Sequence, residues 1–300
     1  MLPAATSSDV YQPRRLARER RLETAEGHIG VTQWGPADAA PIVMLHGWMD
    51  CARGWQLLAD CLPEDWPLAA IDWRGYGQSE PRADRYWLPD YLAELECVLQ
   101  QLWPAGHAGR IIGHSLGGTV GSAYAGIRTQ QLRWLVNMEG FGLPRLDPKL
   151  IPEHLGQWLD QLRAPPGQRR YASIEDAWKR MQEENRHLSP EQARHLTEHG
   201  VNQNEDGTYS WKFDNYVRAW RPYDMTAAET QELWSRITCP TLLIHGTESW
   251  ATDPREDGRA RFFKNARIEG FERAGHWVHH DRLNDFLALA RDFLGPPGTA

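Results

Sequence analysis

Arg110-Ile111-Ile112-Gly113-His114-Ser115-Leu116-Gly117-Gly118-Thr119 is the stretch from which the fold can be read. A short apolar run stops at a glycine, a serine stands between two glycines, and small residues and helix formers follow. That order predicts a strand, a sharp turn and a helix, the G-x-S-x-G nucleophile elbow. A serine on so tight a turn carries its hydroxyl clear of the backbone. Gly113 and Gly117 leave room where side chains would strike the adjoining strand and helix. The Leu116 N–H falls at the helix start, where a developing oxyanion would be met by a backbone donor.

On either side of this stretch the chain alternates strand and helix. Arg20–Ala25 and His28–Trp34 read as an antiparallel pair around Glu26-Gly27, and Pro41–His46 as a strand buried on both faces. A helical pattern around Trp55, Leu57, Leu58 and Leu62 leads to a strand at Leu68–Asp72. A helix over 88–103 sets Leu92, Leu95, Leu99 and Leu102 on one face. After the elbow come a strand over 132–139, a polar helical stretch, and a strand from Thr241 to Gly246. The chain then predicts a helix near Pro254–Phe263, a strand at Ala266–Phe271 and a closing helix over 281–294. Such alternation gives a mostly parallel, eight-stranded α/β sheet flanked by helices. The core is expected over 1–139 and 238–300, with 1–12 disordered, and 140–237 as an inserted helical lid. Ser189-Pro190-Glu191-Gln192 has the form of a capped helix start inside that insert, and Asp206-Gly207 of a turn into an extended segment.

The 300 residues carry a net charge of −7 with no long basic stripe, which excludes a nucleic-acid surface. Arg14–Arg21 reads as a solvated approach to the first strand. No apolar run is long enough to span a bilayer. Four scattered cysteines, Cys51, Cys61, Cys97 and Cys239, read as reduced thiols in a cytoplasmic protein. The chain is rich in tryptophan, 15 residues, so several should line a core or a pocket.

The polar groups gather where the parallel strands end, the place where ligands sit in such sheets. A serine hydroxyl becomes nucleophilic when an imidazole takes its proton and an acid holds that imidazole in the right tautomer. The chain supplies Ser115, then a carboxylate, then His276. His46-Gly47-Trp48, Asp72-Trp73-Arg74-Gly75-Tyr76-Gly77-Gln78-Ser79, Gly113–Gly118 and Ala274-Gly275-His276-Trp277 stand in the order of an α/β-hydrolase, and the chain resembles that superfamily over about residues 20–295. The resemblance implies an oxyanion loop, a structural turn, the nucleophile Ser115 and the general base His276, with the Trp48 and Leu116 amides as oxyanion donors.

The acid departs from the common pattern. The Asp expected a few residues beyond Gly246 is replaced by Ser249 and Trp250. Val136-Asn137-Met138-Glu139-Gly140 is similar to the arrangement of some haloalkane dehalogenases, which places a glutamate at the end of the sixth strand. Glu139 is the first candidate, followed by Glu248 and Asp253. Asp72 reads as a turn-holding group, His46 and His114 as loop locks. His276 and His280 lack the intervening carboxylate of a zinc motif, so no metal and no cofactor is expected.

The expected activity is hydrolysis of a small-molecule carboxylic ester or related acyl compound through an acyl-enzyme. Trp48, Trp55, Trp73, Trp87 and the insert tryptophans Trp158, Trp178, Trp211 and Trp220 read either as simple packing or as a sign of an aromatic or apolar acyl group. C–C bond hydrolysis, lactone opening or acyl transfer would use the same residues. From another class, a ligand-binding protein that kept the fold without turnover fits the missing Asp but not the intact Ser115 and His276.

Overall fold

The computed structural model describes residues 11–82, 85–142, 148–164, 166–219, 221 and 225–294. The expectation of disorder for residues 1–10, and Trp220, lie outside them. Among the described residues there are ten strands: β1 (Arg18–Thr24), β2 (Gly27–Trp34), β3 (Ile42–Leu45), β4 (Leu68–Ile71), β5 (Gly109–His114), β6 (Leu132–Met138), β7 (Val201–Gln203), β8 (Tyr209–Trp211), β9 (Thr241–Gly246) and β10 (Ala266–Phe271). Eight of them form one sheet in the order β1-β2-β4-β3-β5-β6-β9-β10. β1–β2 and β2–β4 pair antiparallel, and the other neighbours run parallel.

The helices are α1 (Gln56–Ala59), α2 (Leu88–Leu102), α3 (Leu116–Ile127), α4 (Ile151–Arg163), α5 (Ile174–Glu184), α6 (Pro190–Gly200), α7 (Ala227–Arg236), α8 (Val278–Asp281) and α9 (Leu283–Leu294). Strand residues alternate between two cores, because successive side chains leave a strand on opposite faces. Val43, Leu45, Ile111, Leu135 and Leu243 join Leu95 and Leu99 of α2 and Val120 of α3 on one face. Ile42, Met44, Ile112, Val136 and Leu242 join Leu58 of α1 and Phe286 of α9 on the other.

Between β6 and β9, α5, α6 and the β7–β8 hairpin pack on loops at the carboxyl ends of the sheet. Gly77 N–H donates to Lys212 O, and Asp214 N–H to Gly75 O, both at 2.8 Å. Trp48 Nε1 donates to Val217 O at 3.0 Å, and Asn185 Nδ2 to Asp281 Oδ1 at 2.8 Å. The hairpin is an addition to the helical insert expected over 140–237, and its connection contains the Asp206-Gly207 turn. α7 behaves differently: its Trp234 is buried in the same core as Val120 and Tyr124 of α3. At Gly126 of α3 an added Cβ would lie 2.2 Å from Leu233 O, so α3 and α7 touch backbone to backbone.

Three local expectations are corrected. Pro254–Phe263 is not an α-helix: only a 3-10 turn, Arg259–Phe262, forms there. Asp253 and Asp257 accept hydrogen bonds from the N–H groups of Arg255 and Arg259, and such local side-chain bonds compete with a helix. Arg15 is buried, giving hydrogen bonds to Ala59 O and Trp66 O, whereas the rest of its basic cluster is largely exposed. Tyr11, within the stretch expected to be disordered, donates to Asp60 Oδ2 at 2.5 Å. The closing helix expected over 281–294 is α9, with the short α8 just before it. Among the described residues no helix is long and apolar enough to cross a membrane.

Candidate active site

Ser115 follows β5 and precedes α3 with φ 50° and ψ −112°, a left-handed backbone that a non-glycine residue adopts only under constraint. The constraint is visible in its neighbours. A Cβ on Gly117 would sit 2.1 Å from Leu45 O, and one on Gly113 2.5 Å from Gly117 O. Only glycines let strand and helix close this tightly. Leu116 is the first residue of α3, so its N–H has no carbonyl one turn back within the helix.

Glu139 is built in a parallel way. It directly follows β6 and has φ 60°. Ser115 N–H donates to Met138 O at 2.8 Å, and Glu139 N–H donates to Ile244 O at 2.9 Å. Each residue is therefore hung on the end of the next strand in the sheet. The Glu139 side chain is fully buried and satisfied by three donors: Gly246 N–H to Oε1 at 2.7 Å, Ser249 Oγ–H to Oε2 at 2.6 Å, and His276 Nδ1 to Oε2 at 3.0 Å. The other nitrogen of His276, Nε2, lies 2.8 Å from Ser115 Oγ. Serine, imidazole and carboxylate thus form one hydrogen-bonded chain.

The other carboxylates are engaged elsewhere. Glu248 pairs with Arg186 and, at 3.3 Å, with His187 of the insert, and the Arg186 hydrogen bond lowers its pKa. Asp253 pairs with Arg255 at 2.7 Å and His245 at 3.2 Å. Ser249 is the residue that sequence reasoning passed over. It stands three places beyond Gly246, where an Asp was sought, and it donates to Glu139 Oε2. Trp250 beside it lays its ring over His276, centroids 4.8 Å apart.

The loops around the site are locked by buried groups. His46 Nδ1–H donates to Gly47 O at 2.7 Å, and its Nε2 accepts from Trp73 N–H at 3.0 Å. Burial holds its pKa down at about 4, so the neutral ring ties the Trp48 loop to the Asp72–Ser79 turn. Asp72 accepts from Ala52 N–H at 2.6 Å and Gln78 N–H at 2.9 Å, and burial raises it to about 6. His114 Nε2–H donates to His276 O at 2.8 Å, fixing the loop that carries the imidazole. Gly275 N–H donates to Asp281 Oδ2 at 2.8 Å, and Asn185 of the insert braces that same carboxylate.

Trp48 and Trp250 are exposed at the site, whereas Trp55 and Trp73 are core residues at 1% and 0% exposure and do not line it. Both ring nitrogens of His276 are taken up by Ser115 and Glu139. Among the described residues no three His, Cys, Asp or Glu side chains converge as metal ligands do.

Comparison with known proteins agrees with this architecture. Residues 40–283 match the model of the alpha/beta hydrolase fold. A "Serine hydrolase-like protein" of Danio rerio is 31% identical over 317 residues, covering 99% of this chain and 95% of the relative. A thioesterase domain from a curacin biosynthetic pathway superposes with a TM-score of 0.80 at 23% identity, covering 91% of this chain and 98% of that one, a likeness of fold. A hypothetical protein of Pseudomonas aeruginosa PAO1 gives a TM-score of 0.78 at 26% identity, covering 91% and 96%. The chain belongs to the alpha/beta hydrolase fold family, and its kinship supports a hydrolase of that fold.

Proposed function

We propose that the protein is a serine hydrolase that cleaves a small-molecule carboxylic ester, or a closely related acyl compound, through an acyl-enzyme. The observation that carries this reading is the unbroken chain Glu139–His276–Ser115, with contacts of 3.0 Å and 2.8 Å, ending on a serine held in a left-handed turn. His276 Nε2 accepts the Ser115 proton as Oγ attacks the substrate carbonyl. Glu139 accepts the Nδ1–H, which sets the tautomer and steadies the imidazolium. The Trp48 and Leu116 amides receive the oxyanion of the tetrahedral intermediate. His276 then passes the proton to the departing alcohol. Water, deprotonated by the same ring, attacks the acyl-enzyme, and the released acid restores Ser115.

In this reading α5, α6 and the β7–β8 hairpin act as a lid over the strand ends, and α7 belongs with the core. Support for the lid comes from its ties to the Trp48 loop, the Asp72–Ser79 turn and Asp281. The test is a fluorophosphonate probe together with a panel of p-nitrophenyl esters. Ser115 is expected to label, and Ser115→Ala to abolish labelling and lower turnover at least about 10⁴-fold. Unchanged labelling or turnover in Ser115→Ala would overturn the proposal.

A further inference from the structure

Trp250 is a large apolar side chain that folding leaves in the open: it is 62% exposed, in the loop that follows β9. Burial of apolar area therefore does little to explain where the indole stands. Its backbone is held from both sides. Ser249 N–H donates to Gly246 O at 3.1 Å, and Ala251 N–H donates at 3.1 Å to the Ser249 hydroxyl that itself donates to Glu139. What the indole meets is the imidazole of His276, with ring centroids 4.8 Å apart and planes 35° from parallel. Among the described residues two other rings approach that imidazole, His114 at 5.0 Å and 54° and Trp277 at 5.8 Å and 81°. Trp250 is the neighbour that lies nearest to face-on.

We propose that Trp250 is a positioning residue of the reaction, its indole face holding the imidazolium that His276 becomes when it takes the Ser115 proton. The inference rests on the acyl-enzyme reading above and adds a second stabiliser of that charge beside Glu139. A neutral imidazole gains little from the negative face of an indole, whereas a cation within about 6 Å of the ring centroid is drawn to it. The attraction therefore grows as the proton leaves Ser115 Oγ and fades when the ring hands that proton to the leaving alcohol. An interaction stronger in the transition state than in the ground state lowers the barrier.

The other groups around His276 bring no competing cation. Glu139 accepts at Nδ1, and Asp281, which accepts from Gly275 N–H, is the further carboxylate close enough to feel the ring's charge. Glu248, in the Trp250 loop, is paired with Arg186. His114 of β5 and His279 and His280 of α8 are buried, and burial holds all three imidazoles below their ordinary range, in the neutral form.

The test is the pH dependence of kcat/KM for a p-nitrophenyl ester, measured on the full chain and on Trp250→Leu and Trp250→Phe. Trp250→Leu is expected to lower kcat about two- to fivefold and to move the acid limb to lower pH by about half a pH unit, because an imidazolium without its aromatic face gives up its proton more readily. Trp250→Phe, with a weaker face, should fall between. An indole that only shields His276 from water predicts the reverse, since opening the ring to solvent favours the charged form and moves the limb upward. A limb that stays in place or moves upward in Trp250→Leu overturns the inference and leaves the acyl-enzyme reading standing. Should either variant melt early, fluorinated tryptophan introduced at position 250 alone keeps the shape and weakens the face. The limb must then move down with each added fluorine, and a limb indifferent to fluorine overturns the inference as well. Hydrolysis of no ester, with Ser115 unlabelled, overturns both.

Discussion

Glu139→Gln is the substitution that separates a working acid from a bystander. The carboxylate receives three donors, from Gly246, Ser249 and His276, and offers nothing in return. An amide of the same shape has one oxygen and one NH₂. The Gly246 N–H is fixed by the backbone and cannot turn away, so the amide oxygen must face it. The NH₂ then faces Ser249 and His276. A serine hydroxyl can rotate to accept, but His276 accepts at Nδ1 only by moving its proton to Nε2, the nitrogen 2.8 Å from Ser115 Oγ. A protonated Nε2 cannot take the Ser115 proton. The loss is that of a wrong tautomer, about 10⁴-fold in kcat, or about 5 kcal/mol of transition-state stabilisation. Steady-state hydrolysis of a p-nitrophenyl ester reads it directly, with KM moving only a few-fold because no substrate contact is removed. Glu248→Gln and Asp253→Asn serve as controls, since both carboxylates are paired elsewhere. Glu139→Gln keeping more than about a tenth of native kcat, or a control losing as much as Glu139→Gln does, would refute the reasoning.

Ser249→Ala removes the short hydrogen bond to Glu139 Oε2 while leaving the Gly246 and His276 contacts. A charge-assisted bond of this kind is worth about 1.5–3 kcal/mol, and without it the Glu139 carboxylate is less firmly aimed at His276 Nδ1, so kcat is expected to fall about tenfold with KM little changed. An undiminished kcat would show that Ser249 only packs. Acid stability offers a third check. His46, held at about 4 against an ordinary 6.5, binds fewer protons folded than unfolded, so the stability it contributes is whole above about pH 6.5 and drains as pH falls through 4, about 3 kcal/mol in all. His114 and His279 lie in the same direction, as do His199 and His280 at about 3. Asp50 and Asp72, raised to about 7 and about 6, have the opposite sign: the stability they contribute grows as pH falls through those values. Melting temperature is therefore expected to fall as pH drops from about 7.5 to 6 and more steeply below it, because five histidines outweigh two carboxyls. A melting temperature unchanged at about pH 4.5 would contradict this balance.

The features that proved legible in the sequence are those where the backbone leaves no choice. Gly113 and Gly117 announce the elbow because no side chain fits there, and the fully buried runs Ile42–Leu45 and Thr241–Gly246 announce central parallel strands. The contact of Glu139 with His276 could be anticipated because the usual acid position holds a serine. What escaped reading depends on partners far away in the chain. Helix α7 has an ordinary amphipathic pattern, and nothing in it says that Trp234 would pack on α3 and not within the insert. Arg15 looks like its exposed neighbours until the carbonyls of Ala59 and Trp66 surround its guanidinium. Pro254–Phe263 has helical composition, yet Asp253 and Asp257 capture the N–H groups two residues on, a contest that periodicity does not register. Likewise His280, in a run of histidines, gives no hint that both its nitrogens go unmet.

The staggered hydrogen bonds from Ser115 to Met138 and from Glu139 to Ile244 make the pleated sheet a measuring device. Ser115 and Glu139 are each attached one rung past a strand, so the span between them is inherited from the spacing of β5, β6 and β9. Remodelling the segments above the sheet leaves that span undisturbed. A graft of a foreign insert onto this chassis should alter selectivity and spare the reacting trio.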